Sequence, residues 1–145
     1  MTIRVIEEGE TALAAAALLE LRPHHGDTAA LTRAADALRA TGYELVGSFD
    51  DGDRDPDAAA VAGFRVTETL VTARRIYVDD LVTRETARGR GHATALLAWL
   101  DDEARRRGCT QLYLDSGVIP ERRAAHRRYF GHGMRIASYN FQKDL

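Results

Sequence analysis

At residues 88–94 the chain reads Arg88-Gly89-Arg90-Gly91-His92-Ala93-Thr94, two glycines and two arginines where an apolar strand pattern gives way to a helical one. The first amides of a helix have no partner inside it and point outward with the positive end of its dipole. A phosphate fits such an end. Gly89 and Gly91 remove side chains that would bar a phosphate from the backbone. Arg88 and Arg90 add charge and forked donors. A pyrophosphate is the ligand these residues suit first, and an ordinary glycine turn ahead of an amphipathic helix is the alternative. Two other phosphate loops fail on composition. A P-loop needs Gly-Lys-Ser/Thr, and the turn has no lysine. A dinucleotide loop needs G-x-G-x-x-G, and Thr94 stands where the last glycine belongs.

The elements on either side must hold the turn in place. Residues 75–83 read as the strongest strand, with Ile76, Tyr77, Val78, Leu81 and Val82 on both alternating faces, as in a central strand covered twice. Residues 91–107 read as an amphipathic helix with Ala93, Leu96, Leu97, Leu100 and Ala104 on its buried stripe. Gly108 ends it, after three arginines that suit the negative end of the dipole. Upstream, the pattern predicts a strand over 3–6 and a helix over 10–21 broken by Pro23-His24-His25-Gly26. A second helix, capped by Asp27 or Thr28, runs to about residue 40 with Leu31, Ala34, Ala35 and Leu38 inward. Residues 43–49 and 58–70 read as antiparallel strands around a polar loop, 50–57. Downstream come a strand at 111–114, a helix over 121–130 and a last strand over 135–142. No repeat or linker divides the chain, so one α/β domain over residues 1–145 is the expectation.

Composition narrows the function classes. A net charge of −2 argues against bulk capture of nucleic acid or of an acidic membrane. A single cysteine, Cys109, permits no internal disulfide and fits a reducing cytoplasm. The start, Met1-Thr2-Ile3-Arg4, lacks the apolar run of a secretory signal. The apolar stretch at 12–19 is too short to span a bilayer. His24-His25 has no further ligand at useful spacing, so no metal is expected.

At residues 88–93 the chain resembles the GNAT superfamily of N-acetyltransferases, whose signature is Arg/Gln-x-x-Gly-x-Gly/Ala after the fourth strand. The usual Leu96-Leu97 follows. A second family pattern, Ala-x-x-x-Tyr-x-x-x-Gly-hydrophobic, stands as Ala125, Tyr129, Gly133 and Met134. Arg122 stands three positions before the motif alanine, where the family often has an asparagine or similar polar residue. The resemblance implies a single GNAT-like domain: a mixed, mostly antiparallel sheet of about six strands flanked by about four helices.

The resemblance further implies acetyl-CoA as co-substrate. Backbone amides of Arg88, Gly89, Arg90, Gly91, His92, Ala93 and Thr94 would hold its pyrophosphate. Leu81, Val82 and Thr83 would pair through their main chain with the pantetheine arm, which carries amides and can behave as an added strand. A family bulge would open the fourth strand for it. The implied reaction is direct attack of an amine on the thioester with both substrates bound, helped mostly by proximity. Tyr129, a phenol with pKa near 10, is the candidate acid for the leaving thiolate. A backbone amide at Val82 or Thr83 is the candidate oxyanion donor. Asp79 and Asp80 are the candidate bases, with ion pairs to Arg74 or Arg75 as the alternative. Adjacent strand residues face opposite ways, so one of the two is expected in the acceptor cleft. Glu68 is a third candidate, and His126 lies one turn before Tyr129. Cys109 and Ser116 are not expected to be nucleophiles, and the acidic loop 50–57 is expected to be solvated. The amine acceptor is not specified by these motifs, and a homodimer is common in the family. A CoA-binding sensor or partner-binding module without turnover is the alternative function.

Overall fold

In the computed structural model, residues 1–52 and 55–145 are described. They divide into two units, Met1–Tyr113 and Leu114–Leu145.

The first unit is built around a sheet in the order β1-β2-β3-β4-β5. Its strands are β1 (Thr2–Ile6), β2 (Glu44–Phe49), β3 (Ala60–Thr69), β4 (Ala73–Thr83) and β5 (Gln111–Leu114). The pairs β1–β2, β2–β3 and β3–β4 are antiparallel. Between β4 and β5 the chain crosses over through α3 (His92–Arg106). Such a strand–helix–strand crossover brings the next strand in parallel, so the sheet is mixed.

Each face of the sheet buries against helices. Helices α1 (Ala12–Leu21) and α2 (Thr28–Arg39) cover one face. There Leu18, Leu31 and Ala35 join Tyr43, Leu45, Val61 and Val82 in a single apolar cluster. Asp27 caps α2, its Oδ1 accepting the Ala30 N–H at 2.7 Å, a bond worth about 1 kcal/mol. Leu38, expected inward, is exposed near the end of α2. Helix α3 covers the other face with Leu96, Leu97, Leu100 and Ala104. Its Trp99 meets Phe64 of β3 edge-on, ring centroids 6.0 Å apart. Gly108 ends α3 at φ 69°, and Cys109 N–H closes back on Ala104 O at 2.8 Å.

The second unit carries α4 (Arg123–Gly131) and a tail without regular structure. The strand expected over 135–142 is not formed, so the sheet has five strands rather than about six. Ile136, Tyr139 and Phe141 are strongly exposed there. β-prone side chains do not make a strand by themselves, because the ladder to a neighbouring strand supplies the stability.

Candidate active site

The turn between β4 and α3 leaves backbone donors unspent. Gly89 and Gly91 adopt φ of 80° and 90°, a region that strains any residue with a Cβ. A Cβ on either would meet nothing within 4 Å, so the space before the backbone is open. Gly91 is the N-cap of α3, and no side chain caps the helix. Its first-turn amides therefore face outward with the positive end of the dipole. Two details differ from the sequence reading. The Arg88 N–H is already used, donating to Glu85 O at 3.3 Å. The Arg90 guanidinium does not stand free before the turn but pairs with Asp50 Oδ2 at 2.8 Å.

His92, the first residue of α3, points inward and is 1% exposed. Its Nδ1 lies 2.8 Å from Ser48 Oγ on β2, and its Nε2 lies 3.3 Å from Asp50 Oδ1. Burial holds this imidazole below its usual range, the nearby Asp50 carboxylate opposing it only in part. The side chain thus ties the turn to β2, while its backbone belongs to the open first turn of α3. Asp50 is not merely solvated: it holds Arg90, and Asp55 accepts from Arg84 Nη1 at 2.6 Å. Asp53 and Arg54 of the loop expected to be solvated lie outside the described residues.

One strand before the turn, β4 carries a bulge. Gly63 pairs with Asp80 but Phe64 pairs with Val78, which leaves Asp79 as the extra residue. A bulge breaks the alternation of faces. Asp79 and Asp80 consequently both turn towards the α1–α2 side, where sequence alternation had placed only one. Asp80 Oδ2 accepts from Tyr43 Oη at 2.8 Å and Asp80 Oδ1 from Arg22 Nε at 2.9 Å. Asp79 takes both forks of Arg65, at 2.8 and 2.5 Å. The partners are therefore Arg22 and Arg65, not the Arg74 or Arg75 that lie nearby in sequence. Arg74 instead faces Glu68 at 3.9 Å. Glu68 is mostly exposed and pairs across the ladder with Arg74, well away from the bulge.

Beyond the bulge β4 loses its neighbour on the β5 side. Thr110 N–H donates to Arg74 O at 2.9 Å, which fixes where β5 begins. Four residues of strand from there reach no further than about Val78. Leu81, Val82 and Thr83 thus continue past the end of β5. The Arg84 N–H points to β3, donating to Ala59 O at 2.9 Å. Amides alternate sides along a strand, so Val82 N–H also points to β3, and the N–H groups of Leu81 and Thr83 point to the vacated side. Of the two amides named from sequence, that of Val82 points to β3 and that of Thr83 to the side β5 does not cover.

A family model described as "Acetyltransferase (GNAT) family" matches residues 11–134. The chain belongs to the GNAT acetyltransferase family. An acetyltransferase of Agrobacterium fabrum is 43% identical over 67 residues, 44% of this chain and 48% of that protein. An aminoalkylphosphonate N-acetyltransferase of Salmonella typhimurium is 34% identical over 68 residues, 47% of this chain and 43% of that protein. The chain thus spans about half the length of the curated relatives it matches. Among solved structures, an aminoglycoside N-acetyltransferase in complex with CoA superposes with a TM-score of 0.80 at 18% identity, covering 99% of this chain and 93% of that one. At that identity the likeness is one of fold.

The second GNAT motif lies in the second unit. Tyr129 is the buried residue of α4. Burial raises its phenol, only partly offset by Arg122 and Arg128, so it stays protonated at neutral pH. His126 Nε2 contacts Gly117 O at 2.9 Å and Ser116 Oγ at 3.1 Å, which makes it a tie for the loop after β5 and gives Ser116 a structural partner. Cys109 remains a free thiol at the end of α3. Sequence reasoning missed Tyr43, Arg22 and Arg65. The available signal was Gly63: a Cβ there would sit 2.7 Å from Tyr43 Cε2 and closer still to its hydroxyl. Glycine in mid-strand marks close approach of another group, here the phenol reaching Asp80. Burial, then the Asp80 and Asp79 charges, push this phenol up. Among the described residues no cluster of three or more metal-binding side chains occurs. No helix among them is long and apolar enough to cross a membrane.

Proposed function

We propose that this GNAT chain, residues 1–145 acting as one domain, is an acetyl-CoA-dependent N-acetyltransferase that moves the acetyl group to a primary amine in a ternary complex. The observation that carries the reading is the conjunction of an uncapped, glycine-lined turn at 88–94 with a strand edge at 81–83 that β5 does not cover. The amides of Gly89 through Thr94 grip the diphosphate. The amides of Leu81 and Thr83 meet the pantetheine arm as an added strand would. The thioester then lies beside the bulge, where Asp79 and Asp80 stand. A relative named for aminoalkylphosphonate acetylation supports an amine acceptor.

In this mechanism the amine nitrogen bonds to the acetyl carbon while Asp79 and Asp80 orient it and take up its proton, directly or through water. Each carboxylate already holds an arginine, so the amine shares an ion pair rather than meeting a bare charge. The carbonyl oxygen becomes an oxyanion on the side of β4 to which the Leu81 and Thr83 N–H groups point. The C–S bond breaks, and Tyr129 gives its proton to the departing thiolate. Proximity supplies most of the acceleration. The working setting is cytoplasmic.

Thiol release from acetyl-CoA across a panel of amines tests the reading, beside thermal-shift titration with CoA and with ATP. Release with at least one amine, and stabilisation by CoA but not ATP, is the expected result. Tight CoA binding without release on any amine would instead make the chain a sensor. Stabilisation by ATP alone would remove acetyl transfer altogether.

A further inference from the structure

On the α1–α2 face, the outer halves of β3 and β4 carry a second, cationic group of side chains. Arg65 stands opposite Tyr77 in the ladder and Thr67 opposite Arg75, and opposed residues share a face. Arg75 Nε donates to Thr67 Oγ1 at 3.2 Å. Its guanidinium carbon lies 5.4 Å from the Tyr77 ring centre and 4.6 Å from that of Tyr113 on β5. Arg65 also approaches Tyr77, its guanidinium carbon 5.9 Å from the ring centre. The row leads straight to the bulge, where Arg65 holds Asp79 and Arg22 holds Asp80.

The charges on this row do not balance. Arg22 and Arg65 are each matched by an aspartate. Arg75 makes no ion pair among the described residues, although it is half-buried. A planar guanidinium fixed against two aromatic rings loses little further freedom on binding and matches the oxygens of a carboxylate, phosphate or phosphonate. It lies four residues along β4 from Asp79, a span of about 13 Å between Cα atoms that the long arginine side chain shortens.

The geometry points to an acceptor that is itself anionic: an amine whose own carboxylate, phosphate or phosphonate group is held by Arg75 while its nitrogen lies at Asp79 and Asp80. This rests on the acetyltransferase reading and names the substrate class for it. A polyamine fits the row badly, since a second cation would face the unpaired arginine.

The test compares an ω-amino carboxylate, an ω-amino phosphonate and a diamine of equal chain length, with thiol release as the readout. The expected order puts the anionic acceptors at least about tenfold ahead of the diamine in kcat/KM, the size of one charge-assisted contact. The first two arms separate carboxylate from phosphonate preference. In Arg75→Gln, KM for the preferred anionic acceptor rises roughly tenfold, while kcat and KM for acetyl-CoA stay within about twofold. Arg75→Lys restores part of the loss, because it returns the charge without the fork. Preference for the diamine, or an unchanged KM in Arg75→Gln, overturns the inference. If no amine releases thiol, the acetyltransferase reading fails by itself. The anion site is then read by melting temperature, where the ω-amino phosphonate must stabilise the wild type and not Arg75→Gln, and a shift in neither or in both overturns it.

Discussion

Tyr129 and Gly63 matter as single residues, one for the proton proposed for it and the other for an atom it lacks. Burial raises the Tyr129 phenol, so the proton it would donate to a thiolate is retained throughout the neutral range. Tyr129→Phe is expected to lower kcat by about 10- to 100-fold, the modest end of general-acid effects. KM for acetyl-CoA should stay within about twofold, read in a steady-state assay with a fixed amine. An unchanged kcat would leave the thiolate without need of this acid. At Gly63 an added methyl collides with Tyr43, and the phenol must leave Asp80. Gly63→Ala should cost roughly 1–3 kcal/mol, as overpacking usually does, measured as a lower urea midpoint. An unaltered midpoint would mean that Tyr43 gives way freely. Sequence made Gly89 and Gly91 legible because a turn with positive φ asks for glycine by type and by spacing. It could not show that Asp79 and Asp80 share a face, since alternation holds only while the ladder keeps register, and the bulge between Gly63 and Phe64 breaks it. Arg22 and Arg65 were hidden for a related reason: ion pairs 58 and 14 residues apart in sequence follow from packing, not from local pattern.

At the scale of elements, the start of α3 was legible and so was its end. Its end is held by a charge chain that the sequence showed only as a run of arginines. Arg107 binds both Glu103 of the same helix and Glu44 of β2, at 2.6 Å in each case, and Arg106 joins Glu103. These arginines, Arg106 first, hold the Glu103 carboxyl down to about 2. A carboxyl lowered in the folded state adds stability above its ordinary range near 4.5 and loses it as pH falls towards about 2. Glu103→Gln should therefore melt lower than the wild type at pH 6–7, by roughly 1–2 kcal/mol after allowance for solvent screening. The gap should narrow steadily between about pH 4.5 and pH 2 as the wild type loses its advantage. Melting temperatures of both proteins across that window check this, and a gap that persists at pH 2 would place its cause outside the ion pairs. The element that sequence misjudged is residues 135–142. Its side chains have strand character, but character alone does not supply a ladder, and Ile136, Tyr139 and Phe141 stay exposed.

For the molecule as a whole, the order of elements up to β5 was readable because each boundary carries its own chemistry: Asp27 as a cap, Gly42 and Gly108 at helix ends, the polar loop between β2 and β3. What no local pattern could give is where β4 outruns β5, because that depends on the length of one strand against another. The vacated edge at 81–83 bears on kinetics. A site that takes the thioester arm along that edge, and the amine beside Asp79 and Asp80, binds both substrates before any bond changes. No nucleophile has to carry the acetyl group in between. Cys109, the lone thiol, follows the end of α3, whereas the turn at 88–94 lies at the helix's other end, about 22 Å away along its fifteen residues. Double-reciprocal plots at varied acetyl-CoA and amine should intersect, and Cys109→Ala should keep kcat within about twofold, since a covalent route would give the parallel lines of ping-pong exchange. Parallel lines together with a dead Cys109→Ala would require the acetyl group to sit near Arg74, where Thr110 joins β4, five residues or about 16 Å along the strand from Asp79. That pair of results would therefore move the acetyl-binding edge away from residues 81–83.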